Sequence, residues 1–230
     1  MREGLKFFWM ASVIASAFSW LYQTLVRNSG NRFRGRRQVT GCELARQVLD
    51  RARLNRTAVA SARGPMRGHL GFSLDGLRLP EKVYYGTQLS DSAQALHETA
   101  HQLEASQSVI PRALCAPGGW ILQAVVMASW FLVLAGFLGP AWRGAGLFGQ
   151  VLFLIGFCIA VTSLPRERTV TRCALSNLAA LEGFGPDEKI RMKKILKALR
   201  WSPLTEAFSA PWNWISKGVS FGVSESERIR

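Results

Sequence analysis

The chain has 230 residues, of which 29 are Lys or Arg and 15 are Asp or Glu, giving a net charge of +14, and 48% are apolar. That apolar content argues against a disordered basic tail. Four cysteines (Cys42, Cys115, Cys158, Cys173) with no Cys-x-x-Cys pair argue against a disulfide scaffold and a zinc ribbon. The charge alone would suit a nucleic-acid binder, but no nucleic-acid motif accompanies it.

In chain order, the first feature is Phe7 to Val26, 20 residues without a charge. A helix crosses the bilayer core with about 20 apolar residues. Trp9, Trp20 and Tyr22 lie near its ends, as interfacial anchors do. The competing reading is a cleaved signal peptide, with a basic start at Met1–Lys6 and Ala15-Ser16-Ala17 as a small-x-small site. Arg27, Arg32, Arg34, Arg36 and Arg37 follow at once. Such a cluster resists translocation, which favours a retained anchor.

The next segment, 27–118, reads as α+β. Thr40 to Ala52 suits a helix, with Thr40 at the N-cap and Glu43 completing a capping box. Thr57 to Ala60 is β-prone. Phe72 and Leu74, then Asp75-Gly76, then Leu77 and Leu79 form a hairpin pattern ended by Pro80. Asp91 is the expected N-cap of a helix reaching about Gln107.

Two further uncharged runs follow, 30 residues between Arg112 and Arg143 and 22 between Arg143 and Arg166. They predict spans at roughly 119–138 and 145–164, joined by a tight turn at Gly139-Pro140 as a transmembrane hairpin. Pro165 then suits the first position of a new helix running to about Glu182 and closed by Gly183. Residues 187–200 look like a basic amphipathic helix, with Ile190, Ile195, Leu196 and Leu199 on its apolar face. Trp212, Trp214 and Phe221 suit an interfacial tail.

The charge is distributed unevenly, with net +7 in 27–118 and +5 in 166–230 but only +1 in each of 1–26 and 119–165. Basic loops stay in the cytoplasm, so the N-terminus and the hairpin turn are expected outside and both long polar segments inside. Beside a membrane, the arginines are expected to contact anionic lipid, and no nucleic-acid partner is expected. The expected organisation is an anchor at 1–26, a cytoplasmic domain at 27–118, a hairpin at 119–164 and cytoplasmic helices at 165–230.

The helix ending near Gln107 contains His97-Glu98-Thr99-Ala100-His101. Residues i and i+4 share a helix face, so both imidazoles can reach one Zn²⁺. Glu98 is placed to take a proton from a water that the metal acidifies toward a pKa of about 7. The competing reading is a pair of surface histidines on an amphipathic helix. A third ligand is required, and Glu104, Glu167, Glu182 and His69 are the candidates. Glu104 shares the motif's helix, which makes joint ligation awkward. A hairpin returns the chain to the membrane face it left, so the topology favours Glu167, whose competing role is a favourable charge in the first turn of a helix.

The sequence resembles the membrane neutral zinc metallopeptidases found widely in bacteria. The resemblance covers most of 38–185. It rests on Thr40-Gly41 with Glu43-Leu44-Ala45, His69, Leu77-Arg78-Leu79, Val83-Tyr84-Tyr85-Gly86, the His97–His101 motif, and Leu164-Pro165 with Glu167. It implies a membrane-bound zinc peptidase in which His97 and His101 bind metal, Glu98 acts as base and then acid, and Glu167 fills an acidic position after the spans. The order of motif, hairpin and Glu is also similar, by fold-level analogy, to the heat-shock and prenyl-protein-processing membrane metalloproteases. His69, ahead of the hairpin, is expected to line the site and stabilise the tetrahedral intermediate; a hydrogen-bonded surface or core histidine is its alternative role.

Three positions depart from the family pattern: Ala100 for Gly, Gly68 for Asp, and Thr169 for Asp. They motivate the competing reading, a pseudo-protease acting as a membrane scaffold. The expected fold class is thus α+β, a small zincin-like juxtamembrane domain with three transmembrane helices. The expected activity is zinc-dependent hydrolysis of peptides or membrane proteins at the cytoplasmic face of a bacterial inner membrane.

Overall fold

A computed structural model describes residues 2–32, 39–62, 72–73, 76–107 and 118–206. The elements in order are α1 (Arg2–Asn31), α2 (Gly41–Arg51), β1 (Ala58–Ala62), β2 (Phe72–Ser73), β3 (Gly76–Pro80), α3 (Glu81–Tyr85), α4 (Leu89–Gln107), α5 (Gly118–Ala135), a 3₁₀ turn (Pro140–Trp142), α6 (Arg143–Ala180) and α7 (Pro186–Leu199). The described residues form two compact units, one drawn from within 1–20, 120–162 and 203–206, the other from within 21–119 and 163–202.

The second unit is α+β. In α2 the expected capping box is formed: the Glu43 amide donates to Thr40 Oγ1 at 3.2 Å, and the Thr40 amide donates to Glu43 Oε2 at 2.9 Å. Two of the four unsatisfied amides at that end are thereby paired. Leu44, Ala45, Val48 and Leu49 are its buried face. The two strands pair antiparallel as expected, but with Ser73 opposite Gly76 and Phe72 opposite Leu77, which corrects the expected Asp75-Gly76 turn: Gly76 lies in β3, and residues 74–75 are outside the described residues. The sheet is larger than the hairpin alone, because β1 runs parallel to β3 and the strand order is β1-β3-β2. Gly76, at φ +150°, is where β3 meets β1; a Cβ there would lie 2.5 Å from the Ala58 carbonyl oxygen.

The core of this unit joins Leu44, Leu49, Leu79, Leu96, Leu181 and Leu196 with their neighbours. The apolar face of α7 therefore faces protein: Ile195, Leu196 and Leu199 are buried, with Met192 beside them, and only Ile190 is exposed. The expected amphipathic helix is present, and packing against α4 takes up its apolar stripe. The proposed tail at Trp212, Trp214 and Phe221 lies outside the described residues.

The first unit is apolar outside as well as inside: Val126, Val133 and Phe153 are buried together with Ser12, Ser16 and Ser129, while Phe7, Phe18, Phe131, Leu134, Phe148 and Ile155 are exposed. Trp9, Trp130 and Phe153 pack edge to face, bringing α1, α5 and α6 together. Gly149 abuts α5, where a Cβ would lie 2.7 Å from the Val133 nitrogen. Small residues at such a crossing let two backbones approach, as in membrane helix pairs.

Among the described residues, two helices are long and apolar enough to cross a membrane, Glu3–Asn31 and Pro140–Ala180. The third expected span is α5, whose apolar stretch Ala124–Ala135 is shorter. The predicted helix start at Pro165 is not observed, because α6 continues through it to Ala180. Proline has a helical φ, so its cost here is one missing amide bond and a steric adjustment, which a 38-residue helix absorbs.

Candidate metal centre

The site is built on α4. Its first turn closes on the Gln88 carbonyl, which accepts from the Asp91 and Ser92 amides at 2.9 and 3.0 Å. The helix thus begins at Leu89, and Asp91 lies inside its first turn instead of capping it. Ala93, Leu96, Ala100 and Leu103 are buried in the core and fix the rotation of the helix. Gly41, at the start of α2, abuts it: a Cβ there would lie 3.1 Å from the Ala95 methyl and 2.1 Å from the Val83 carbonyl oxygen. The Gly41 amide donates to the Gly86 carbonyl at 3.1 Å, so two glycines of the motif set are joined.

With α4 held in this way, His97 and His101 face the same side. Their ring centroids are 4.8 Å apart, with planes at 89°. His97 is buried and His101 half-buried. Glu167, brought by α6, is buried and lies between them, with Oε2 3.3 Å from His97 Nε2 and Oε1 3.4 Å from His101 Nε2. The three ligand atoms fall within 4.8 Å of one another.

These distances test the fit of a metal directly. Zinc bonds of about 2.0–2.1 Å at tetrahedral angles place two ligand atoms about 3.3–3.4 Å apart. Each histidine has a Glu167 oxygen at that length, His97 through Oε2 and His101 through Oε1, within a donor group no wider than 4.8 Å. His97 Nδ1 is buried without a hydrogen bond among the described residues, and Glu167 Oε2 has the 3.3 Å contact with His97 Nε2 as its partner. A buried carboxylate is costly unless a cation faces it, a part that a protonated imidazole or a metal ion can play here. Two nitrogens and one oxygen, with a fourth position open, suit a catalytic zinc site.

The electrostatics agree. Burial pushes the Glu167 carboxyl up, but its contacts with His101 and His97 outweigh this and hold it well below its usual range. Burial pulls the His101 imidazolium down, yet the hydrogen bond and charge of Glu167, with Glu98, carry it above its usual 6.5. The Glu98 carboxyl is raised by burial, against the pull of His101 and His97. It feels both histidines and Glu167, which puts a titratable carboxyl beside the donor set.

The other candidates fall elsewhere. Glu104 Oε2 accepts from Arg166 Nε at 3.0 Å, and Glu104 is not in the donor group. Glu182 is exposed and is not in it either. His69 and Gly68 lie outside the described residues. Ala100 sits in the core cluster, and Thr169 is exposed, its hydroxyl bonded back to the Pro165 carbonyl at 3.4 Å. The sequence reading did not single out Arg166; the only signal for it was a charge next to Glu167, facing a carboxylate one turn past His101.

A helix-borne His-Glu-x-x-His with a carboxylate from a later helix defines the class: a candidate zinc-peptidase centre. Residues 8–210 match the family model described as "Putative neutral zinc metallopeptidase". The chain belongs to that family, whose metal is zinc. No curated protein and no solved structure matches it.

Proposed function

We propose that this protein is a membrane-anchored zinc peptidase with its site at the cytoplasmic face. The observation that carries the reading is the meeting of His97, His101 and Glu167 at zinc-ligand spacing beside Glu98. In this reading His97, His101 and Glu167 hold the zinc. Bound zinc supplies Lewis acidity toward a water and toward the scissile carbonyl. Glu98 accepts the proton of the attacking water and returns it to the leaving amine. A raised carboxyl pKa suits both halves of that exchange, because the same group must be deprotonated first and protonated next.

The membrane assignment draws on the apolar exterior of the first unit. Water-soluble proteins rarely expose so large an apolar surface, and a bilayer would cover it. The excess of positive charge in 27–118 and 166–230 supports a cytoplasmic site. Exposed Arg168, Arg172, Lys193, Lys194 and Lys197 suit anionic lipid headgroups, each adding about 1 kcal/mol near the surface. Substrates in this reading are peptides or membrane-protein segments reaching that face.

The test is removal and return of the metal. Chelation should abolish cleavage of a mixed peptide pool by the detergent-purified protein, and one equivalent of Zn²⁺ should restore it. Cleavage that survives chelation would reject the reading.

A further inference from the structure

Glu104 and Arg166 stand outside the donor group, yet they join the two helices that supply it. Glu104 follows His101 by three residues, one turn further along the same face of α4. Arg166 immediately precedes Glu167. Successive helical residues point about 100° apart, so the two side chains leave α6 in different directions. Glu167 meets α4 at His97 and His101, and Arg166 meets it at Glu104, 3.0 Å away. The contacts together span a rise of about 10 Å along α4. Val170, Ala174 and Leu178 seat α6 in the core on the C-terminal side of Glu167, and the Glu167 contacts add one further point. The Glu104–Arg166 contact ties α6 to α4 on the N-terminal side of Glu167, where none of these core residues lies.

We propose that the Glu104–Arg166 ion pair is a positioning clip, which holds α6 turned so that Glu167 faces His97 and His101 and thereby sets the affinity of the site for metal. The inference rests on the metal-site reading above. The side chains of the pair are 41% and 26% exposed, for Arg166 and Glu104 respectively, so either can be replaced without leaving a buried charge. Outer partners of metal ligands typically change affinity about 10–100-fold, and partial exposure puts this pair at the lower end.

The test uses the full-length, metal-free protein in detergent, titrated with Co²⁺, whose visible absorption reports ligand geometry. The variants are Glu104→Gln, Arg166→Gln and the charge swap Glu104→Arg with Arg166→Glu. A clip predicts that both single variants bind Co²⁺ about tenfold more weakly with altered band intensity, and that the swap returns to within about twofold of wild type. A purely electrostatic effect moves the singles in opposite directions, since one removes a negative charge and the other a positive one. That result overturns the clip, as do singles within twofold of wild type or a swap as weak as the singles. Wild-type protein that takes up no Co²⁺ marks a failure of the metal reading itself. In that event a melting cycle on the same metal-free variants still reads the pair: additive shifts overturn the clip, and non-additive shifts support the contact.

Discussion

Glu167 Oε2 lies 3.3 Å from His97 Nε2, although the two residues come from different helices and are separated in sequence by the apolar runs. In the proposed site the third ligand comes from α6, beyond the apolar runs in sequence, so metal binding is expected to be coupled to the packing of α6 on α4. A ligand that binds only the folded chain stabilises it, by about 4 kcal/mol at a thousand times its Kd. Added Zn²⁺ should raise the melting temperature of wild type. Glu167→Gln should bind zinc more than about 100-fold more weakly, beyond the range of outer partners, and show almost no such rise. Calorimetry and melting in detergent check both; an equal rise in both proteins would remove Glu167 from the ligand set.

The metal-free site should show a pH window. His101 is raised above 6.5, so its share of stability is fully present below that value and is lost as pH rises through its folded pKa. Glu167 is lowered from 4.5, so its share is present above 4.5 and is lost as pH falls through its folded value. The melting-temperature gap between metal-free wild type and Glu167→Gln should be widest between pH 4.5 and 6.5 and narrow on either side. A gap flat from pH 4 to 9, on a scale set by the same two ordinary pKa values, would count against the pairing.

Gly41 has no room for a side chain, because a Cβ would lie 2.1 Å from the Val83 carbonyl oxygen. Gly41→Ala must push α2 away from α3 and α4, at a cost of about 1–3 kcal/mol. Denaturation midpoints should fall accordingly, and zinc affinity should fall with them because α4 carries both histidines. A midpoint within experimental error of wild type would contradict the packing described.

His69 lies outside the described residues, and its stabilisation of the tetrahedral intermediate is a proposal from the sequence. Removing one such donor typically costs about 100–1,000-fold in kcat. His69→Ala should therefore retain its zinc and lose turnover, with little change in KM. Undiminished turnover would rule out the assignment.

Much of this was legible in the sequence because it is local. The capping box at Thr40 and Glu43, the antiparallel pairing of the strands at Phe72 and Leu77 (though not its register), and the shared face of His97 and His101 each follow from residue spacing within a few positions. Glu167 was reachable through topology, since a hairpin returns the chain to its starting face. What was hidden is long-range. The parallel pairing of β1 with β3 leaves no short-range pattern. The passage of α6 through Pro165 runs against the usual reading of proline as a boundary. The burial of Ile195, Leu196 and Leu199 against protein rather than lipid cannot be told from an amphipathic stripe, which looks the same facing either. The bond from Arg166 to Glu104 joins two helices on opposite sides of the apolar hairpin in sequence.

The central claim is that Glu98 performs proton transfer beside a zinc held by His97, His101 and Glu167. Its most direct test measures bound zinc and peptide cleavage together, in wild type and in Glu98→Gln. The account predicts one zinc per chain in both proteins and cleavage at least about 100-fold slower in the variant, as removal of a general base requires. One zinc per chain with equal cleavage in both, or no zinc in either, would contradict it.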